Sequence, residues 1–180
     1  MSGQNSERLN QFLESAKKVE TTVKIVSHFS DDIKNVLNSI IVDDGSVLIS
    51  KFRFINDQLL SEFIKSSKYI NTNPTDKELA NAKYSITDSF AGISETGSVC
   101  IVNDDSMSGS YSLYTQIHIV FLDSKNLLSR PRDIFQIDPY KTITQNEDFI
   151  FVSGSSATAD MGPLVRGVHG PAKLYTIILE

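Results

Sequence analysis

Short apolar segments alternate with amphipathic helical segments through the first half of the chain. Apolar residues recur at helical spacing within about residues 6–19, which predicts an N-terminal helix with one apolar face. Residues 22–28 are β-branched and alternate in polarity, so they predict a strand, and residues 47–49 predict a short buried strand. Alternation of this kind is typical of helices that connect parallel strands. We therefore expect an α/β fold with a mostly parallel to mixed sheet.

Several helix starts in this half carry capping signals. Ser30 or Asp31 is the expected N-cap of a second helix, and Asp57 is expected to open a third. Thr75 and Glu78 have the spacing of a capping box, which predicts a further short helix. Such side chains mark a boundary because they satisfy the backbone N–H groups that a helix leaves free in its first turn.

The second half of the chain has strands joined mainly by loops, so part of the sheet is expected to be mixed. The polar segment 103–112 predicts a flexible loop, and a helix is expected to begin within residues 123–128. Continuous apolar runs are typical of strands that are covered on both faces. Such runs predict buried strands at residues 98–102, 117–122, 149–152 and 174–179.

Length and charge limit the classes of function. The 180 residues fit a single domain spanning 1–180. The net charge of −5 argues against a generic nucleic-acid surface, which is normally basic, so no nucleic-acid partner is predicted. The first residues are polar, and no apolar run approaches the ~20 residues that span a bilayer. We therefore predict no membrane span and a cytoplasmic location.

The chain has one cysteine, Cys100, which lies inside an apolar run. A single cysteine cannot form an intrachain disulfide or supply the roughly four ligands of an iron–sulfur cluster. We predict that Cys100 is a small buried side chain, and the sequence predicts no cofactor and no iron–sulfur cluster.

Two loop regions, residues 89–97 and 153–171, contain most of the unusual loop chemistry, and we expect them to face each other across a cleft. Together with one strand they carry four motifs, in order within residues 84–180, that resemble the lactate utilization (LUD) domain, specifically the lactate utilization protein C family. Ser155 stands where that family commonly has a proline. The motifs are residues 92–98 (GISETGS), 117–119 (IHI), 153–160 (SGSSATAD) and 167–171 (GVHGP).

The resemblance implies a fold and a biological setting. It implies the NagB/RpiA/CoA-transferase-like fold, a three-layer α/β/α sandwich. It also implies a place in the conversion of L-lactate to pyruvate, with iron–sulfur proteins of a lactate oxidation system as partners. Because the chain has one cysteine, it is expected to be a non-redox component of such a system.

The C-terminal loops also predict a binding site from their own residue types. If Thr158 begins a helix, the neighbouring hydroxyls and free N–H groups would form a pocket for a small anion; otherwise they only cap a turn. Arg166 could pair with a carboxylate or phosphate, and glycines would let the backbone approach a ligand. The candidate ligand-binding residues are Gly97, Ser155, Ser156, Thr158, Asp160, Arg166, Gly167 and Gly170.

Glu95 and His169 are the candidate catalytic residues. The segment around Glu95 (SETG) is similar to the S-E-N-G loop of CoA transferases, in which the glutamate attacks an acyl-CoA; a binding or structural role is the alternative. His169 could act as a general acid or base, or could be held by a backbone hydrogen bond. His118 is expected in the core. No metal site is predicted, because the histidines and acidic residues lack ligand spacing.

These observations leave three hypotheses. The preferred one is a non-redox component of an L-lactate utilization system with a small-anion pocket. The second is a free-standing enzyme that acts on a CoA ester, a sugar phosphate or a folate-like substrate, for which Glu95→Ala or His169→Ala would abolish turnover. The third is a ligand-sensing module without catalysis, for which the same substitutions would change only the affinity.

Overall fold

In a computed structural model, residues 3–66, 70–103, 108–137, 148–158, 165–167 and 169–180 are described. The α-helices are α1 (Gly3–Lys18), α2 (Ser30–Ile40), α3 (Ser61–Ser66), α4 (Asp76–Asn81) and α5 (Ser108–Tyr114). The strands are β1 (Thr22–Val26), β2 (Val47–Ile49), β3 (Ile70–Asn71), β4 (Tyr84–Asp88), β5 (Ala91–Ile93), β6 (Ser98–Asn103), β7 (Ile117–Asp123), β8 (Leu127–Leu128), β9 (Asp148–Val152), β10 (Ala157–Thr158), β11 (Val165–Arg166) and β12 (Lys173–Leu179). Short 3-10 turns lie at Asp57–Leu60, Ser124–Asn126 and Pro131–Phe135.

Six strands form the main sheet in the order β1-β12-β7-β4-β2-β3, and all their pairings are parallel. The last strand of the chain therefore lies inside the sheet, between the first strand and β7. This arrangement explains why β12 is apolar almost throughout, since a strand with two neighbours and two covered faces has little contact with water.

The main sheet is covered on both faces. Ile119 and Phe121 of β7 belong to one core cluster, together with Ile33 and Leu37 of α2. Val120 and Leu122 of the same strand belong to a second cluster, which includes side chains of α1 and β6. Successive side chains of a strand point to opposite faces, so α1 and α2 lie on opposite sides of the sheet. The predicted α/β fold, with helices on both sides of a sheet, is confirmed.

A smaller sheet of four strands has the order β8-β5-β6-β9, in which β5–β6 and β6–β9 are antiparallel and β5–β8 is parallel. β5 and β6 form a tight hairpin, because the N–H of Gly97 donates to the carbonyl of Ile93 at 2.8 Å. Instead of one mixed sheet, the described residues form a wholly parallel sheet, a small mixed sheet that packs beside it through Val99 and Ile101, and the two-stranded antiparallel pair β10–β11.

The capping predictions had different outcomes. The Thr75–Glu78 capping box is present, and the N–H of Thr75 donates to the Glu78 carboxylate at 2.8 Å. The prediction that Ser30 or Asp31 caps α2 is wrong, because Phe29 is the N-cap and supplies no side-chain cap. The helix still begins there because the Phe29 carbonyl accepts the first helical hydrogen bond from Ile33, at 3.2 Å.

The predicted loop at residues 103–112 is wrong where it reaches residue 108, because Ser108–Tyr114 forms α5, and residues 104–107 lie outside the described residues. Serine and glycine dominate this segment and give it low helix propensity, so packing has to provide the stability. Tyr111 is buried in a cluster with Leu48 and Leu79, and its carbonyl accepts a hydrogen bond from Ser85 Oγ at 3.2 Å. The helix expected within residues 123–128 is reduced to one 3-10 turn before β8.

Candidate functional site

The two predicted loop regions meet at the turn that follows α1. The N–H of Thr21 donates to the Ala16 carbonyl at 2.9 Å, and the N–H of Glu20 donates to the Lys17 carbonyl at 3.2 Å. This pair of hydrogen bonds is a Schellman motif, whose penultimate residue adopts a left-handed conformation. Glu20 takes that position with φ of 61°, although glycine is the usual residue there.

Gly97 and Gly154 allow the two loops to touch the end of α1. Both have positive φ values, 66° and 67°. A Cβ on Gly97 would lie 2.3 Å from the backbone nitrogen of Ala16, and a Cβ on Gly154 would lie 2.0 Å from the carbonyl oxygen of Val19. The N–H of Gly154 also donates to Thr21 Oγ1 at 3.1 Å. Glycine is therefore required at both positions for the loops to approach the helix end.

A row of hydroxyl groups joins the two loops directly. Thr96 Oγ1 and Ser98 Oγ share a hydrogen bond of 2.7 Å, and Ser98 Oγ also bonds to Ser153 Oγ. From the α1 side, Ser15 Oγ donates to the Glu95 carbonyl at 3.1 Å. At these residues the loops are in contact, and no cleft separates them.

Ser156 organises the C-terminal part of the site. Its N–H donates to the Pro171 carbonyl at 2.8 Å, and its carbonyl accepts from the N–H of Gly167 at 2.9 Å. Its hydroxyl accepts from the N–H of His169 at 3.3 Å. Ser156 and the segment around His169 are consequently held as one unit, in which the His169 side chain is exposed.

The helix that would begin at Thr158 is not formed at that residue. Thr158 lies in β10, where it pairs with Val165 of the antiparallel strand β11. Extended backbone presents its N–H groups to the neighbouring strand, so it lacks the set of free N–H groups that a helix start offers. Asp160 lies outside the residues that the structure describes.

Arg166 is the cation of this site. Its Nη1 donates to Ser155 Oγ at 2.6 Å and forms an ion pair with the Glu20 carboxylate. The hydrogen bond and the charge of Arg166 lower the pKa of Glu20, and Glu20 raises the pKa of Arg166 by the same contacts. Both side chains are exposed, so water screens this pair.

Two predicted loop glycines shape the segment around Arg166. Gly167 has φ of 77°, and Gly170 is buried with φ of 153°. A Cβ on Gly170 would lie 3.2 Å from Cβ of Ser156, so the small residue lets the two segments approach each other. At Gly167 the nearest atom is Cβ of Ala172, at 3.1 Å.

The Glu95 side chain has different neighbours. Its carboxylate is exposed and lies 4.0 Å from Nε of Arg130, while its N–H donates to the Ser129 carbonyl at 3.0 Å. Hydrogen bonds and ion pairs among the described residues connect Ser155, Arg166 and Glu20 in one group, and an ion pair connects Glu95 with Arg130 in another. The site residues predicted from the sequence therefore belong to two separate groups, one around Arg166 and one around Glu95.

Glu20 and Thr21 belong to the site but were not predicted from the sequence. The available signal was weak: the first helix ends near Lys17 and Lys18 without the glycine that usually follows a helix. A glutamate in place of that glycine looks like an ordinary surface residue until its backbone conformation is known.

Two titratable residues lie in the core. His118 is fully buried, its Nε2 lies 2.9 Å from Thr87 Oγ1, and burial lowers its pKa to about 3. Cys100 is buried, and loss of hydration raises its pKa to about 12. The predictions of a core histidine and a buried cysteine are confirmed, and neither group is accessible to a ligand from solvent.

The part of the chain that the structure describes contains no group of three or more histidine, cysteine, aspartate or glutamate side chains placed to hold a metal ion. In the same residues, no helix is long and apolar enough to cross a membrane. A cavity of about 450 Å³ lies between the β2–β3 edge and α4, away from the motif loops. Its lining residues are Ser46, Leu48, Ile70, Asn71, Lys77, Glu78 and Asn81.

Comparison with known proteins adds the family. The crystal structure of a DUF162 family protein from Deinococcus radiodurans superposes with a TM-score of 0.73 and 18% sequence identity, covering 98% of both chains, which shows a shared fold. No curated protein matches the sequence. The family model of the LUD domain matches residues 9–179, which include the α1 turn and the motif loops. The chain therefore belongs to the LUD domain family.

Proposed function

We propose that this chain is a non-redox component of an L-lactate utilization system, and that it binds a small anion beside Arg166. Family membership over residues 9–179 supports the first part, because LUD domains are associated with lactate utilization. The grouping of Arg166 with the Ser155 hydroxyl and the loop of His169 supports the second part.

L-Lactate has the chemistry that such a site would recognise. Its carboxylate matches the planar guanidinium of Arg166, which can donate two parallel hydrogen bonds. Its neighbouring hydroxyl can both donate and accept, so the Ser155 hydroxyl or the exposed His169 imidazole is a suitable partner. Pyruvate keeps the carboxylate but has only an acceptor at the adjacent carbon. The two anions are expected to bind with different affinities.

The redox step is assigned to partner proteins. Oxidation of L-lactate to pyruvate releases two electrons and two protons, and an acceptor must take the electrons. The chain has a single cysteine, and that residue is buried, so it cannot hold an iron–sulfur cluster of the usual kind. We propose that iron–sulfur proteins of the same system accept these electrons.

The partner assignment can be tested with the tagged full-length chain, purified anaerobically from its own cells grown on L-lactate. We expect co-purifying proteins that contain iron and acid-labile sulfide, and an assembly that oxidises L-lactate faster with this chain than without it. The same preparation from cells grown without lactate is the control. An assembly whose lactate oxidation is unchanged by omitting the chain would contradict the proposed role.

Glu95 favours a second candidate, a free-standing enzyme of the CoA-transferase-like fold. Its carboxylate is exposed at the tight β5–β6 turn, beside the cation of Arg130, where an acyl group could reach it. Attack of the Glu95 carboxylate on the thioester carbonyl of a short acyl-CoA would form a mixed anhydride and release the CoA thiolate, so this candidate predicts a covalent acyl-enzyme. The adduct should be visible by mass spectrometry in the unaltered protein and absent from Glu95→Gln, while Glu62→Gln, at an exposed site in α3, should retain it. An unaltered protein that never forms the adduct would rule this candidate out.

A further inference from the structure

Glu20 stands in a backbone position that seldom accepts its residue type. With φ of 61° it has the left-handed conformation at the end of α1. That conformation crowds the Cβ of most residues, which is why glycine usually fills it. A non-glycine residue in this conformation is strained, which indicates that its side chain has a specific role.

The hydrogen bonds of the turn do not require the glutamate side chain. They are made by the backbone groups of Glu20 and Thr21, which any residue except proline could supply. The carboxylate instead extends to Arg166, whose same nitrogen also donates to Ser155. The contact that distinguishes glutamate from glycine at this position is therefore the one with Arg166.

We infer that Glu20 is a built-in carboxylate that occupies the anion site on Arg166, and that a free carboxylate must displace it in order to bind. This inference rests on the proposed anion site and names both its ligand class and its regulation. The ligand is a small carboxylate, because the group already held against Arg166 is a carboxylate of the chain itself.

Displacement requires only a side-chain movement. Glu20 and Arg166 are both exposed, so the freed carboxylate would be rehydrated without crossing the core. The backbone turn can remain as it is, since its hydrogen bonds to Ala16 and Lys17 do not involve the carboxylate. Exposed ion pairs are weak, so a ligand carboxylate could compete with this one.

Competition between Glu20 and a ligand carboxylate for Arg166 has a measurable effect on the affinity of the ligand. The apparent affinity of a ligand falls in proportion to the fraction of molecules whose site is free. If Glu20 occupied Arg166 in about nine molecules of ten, its removal would tighten binding about tenfold. We expect Glu20→Gln to tighten the binding of small carboxylates by about three- to tenfold, because it removes the charge and keeps the length of the side chain.

The test is calorimetric titration of the full-length chain with L-lactate, pyruvate, acetate and, separately, inorganic phosphate. The variants are Glu20→Gln, Arg166→Gln and the control Glu14→Gln, which removes one negative charge from an exposed site on α1, the helix that precedes Glu20. We expect tighter carboxylate binding only in Glu20→Gln, and loss of binding in Arg166→Gln. Thermal unfolding of each variant verifies that it is folded.

The outcomes separate this inference from the proposed site. Equal carboxylate affinities of the unaltered protein and Glu20→Gln would overturn the inference and leave the anion site intact. Equal tightening in Glu20→Gln and Glu14→Gln would also overturn it, because the effect would be one of net charge. Tighter binding of phosphate than of any carboxylate would contradict the ligand class. Absence of binding in every protein, or unchanged binding in Arg166→Gln, would overturn the proposed site as well.

Discussion

A substitution at Gly154 tests the close approach between the C-terminal loop and the end of α1. In Gly154→Ala the new methyl group would lie 2.0 Å from the Val19 carbonyl oxygen, whereas such carbon–oxygen contacts need about 3.3 Å. The backbone would have to move by more than about 1 Å. That movement would disturb the hydrogen bond from the Gly154 N–H to Thr21 Oγ1, at 3.1 Å.

The expected loss of stability has three parts. The left-handed conformation costs alanine about 1–2 kcal/mol relative to glycine. Overpacking against the helix end adds about 1–3 kcal/mol, and the weakened hydrogen bond adds about 1 kcal/mol. The sum is about 3–6 kcal/mol, which lowers the melting temperature of a domain of this size by about 6–24 °C.

Gly167→Ala is a matched control. Gly167 has φ of 77°, so alanine meets a similar backbone strain there, but its methyl group would lie 3.1 Å from its nearest neighbour, Cβ of Ala172, which is a much milder contact than the one at Gly154. We expect a loss of about 1–2 kcal/mol in this variant. Equilibrium unfolding in urea gives both values. Losses that agree within about 0.5 kcal/mol would refute the claim that close approach to α1 requires Gly154.

Three further predictions follow from the core. The pKa of His118 is about 3 in the folded protein, below its ordinary value of 6.5. The contribution of the neutral imidazole to folding stability is therefore complete above pH 6.5 and is lost as the pH falls below that value. Between about pH 7.5 and about pH 5 the unaltered protein should lose about 2 kcal/mol more stability than His118→Gln, by urea unfolding; equal losses would contradict this. Cys100, with a pKa raised to about 12, should react with a thiol reagent only in denaturant, and rapid native reaction would refute its burial. Tyr111→Ala should cost about 3–5 kcal/mol by removing a buried side chain of α5, and a loss under about 1 kcal/mol would argue against that packing.

Features that depend on neighbouring residues were predicted well. The first helix follows from helical periodicity and the strands β2, β7 and β12 follow from apolar runs, and a chain segment shows both patterns without its tertiary partners. The Thr75–Glu78 capping box was recognised because both of its hydrogen bonds lie within four residues.

Features that depend on residues far apart in the sequence were not predicted well. α5 has a sequence typical of a loop, and it becomes helical because Tyr111 packs against α4 and β2. The α2 cap was misplaced because Phe29 supplies a backbone carbonyl, and a carbonyl has no residue-type signal. Local propensity is a weak guide wherever tertiary contacts provide the stability.

The grouping of the candidate residues was predicted in part, and their roles in binding stay predictions. The sequence pointed to Ser155, Ser156 and Arg166, which the structure brings together. It missed Glu20, since the pairing of Glu20 with Arg166 joins opposite ends of the chain. The catalytic roles of Glu95 and His169 remain predictions, to be decided by the adduct experiment and by binding.

The measurement that decides the proposed role is L-lactate consumption by cells of the source organism from which this gene has been deleted. Cells complemented with the unaltered gene or with Glu14→Gln should grow on L-lactate, and cells without the gene or with Arg166→Gln should grow poorly on L-lactate but normally on another carbon source. Undiminished growth and lactate consumption in the deletion strain would contradict a role in lactate utilization.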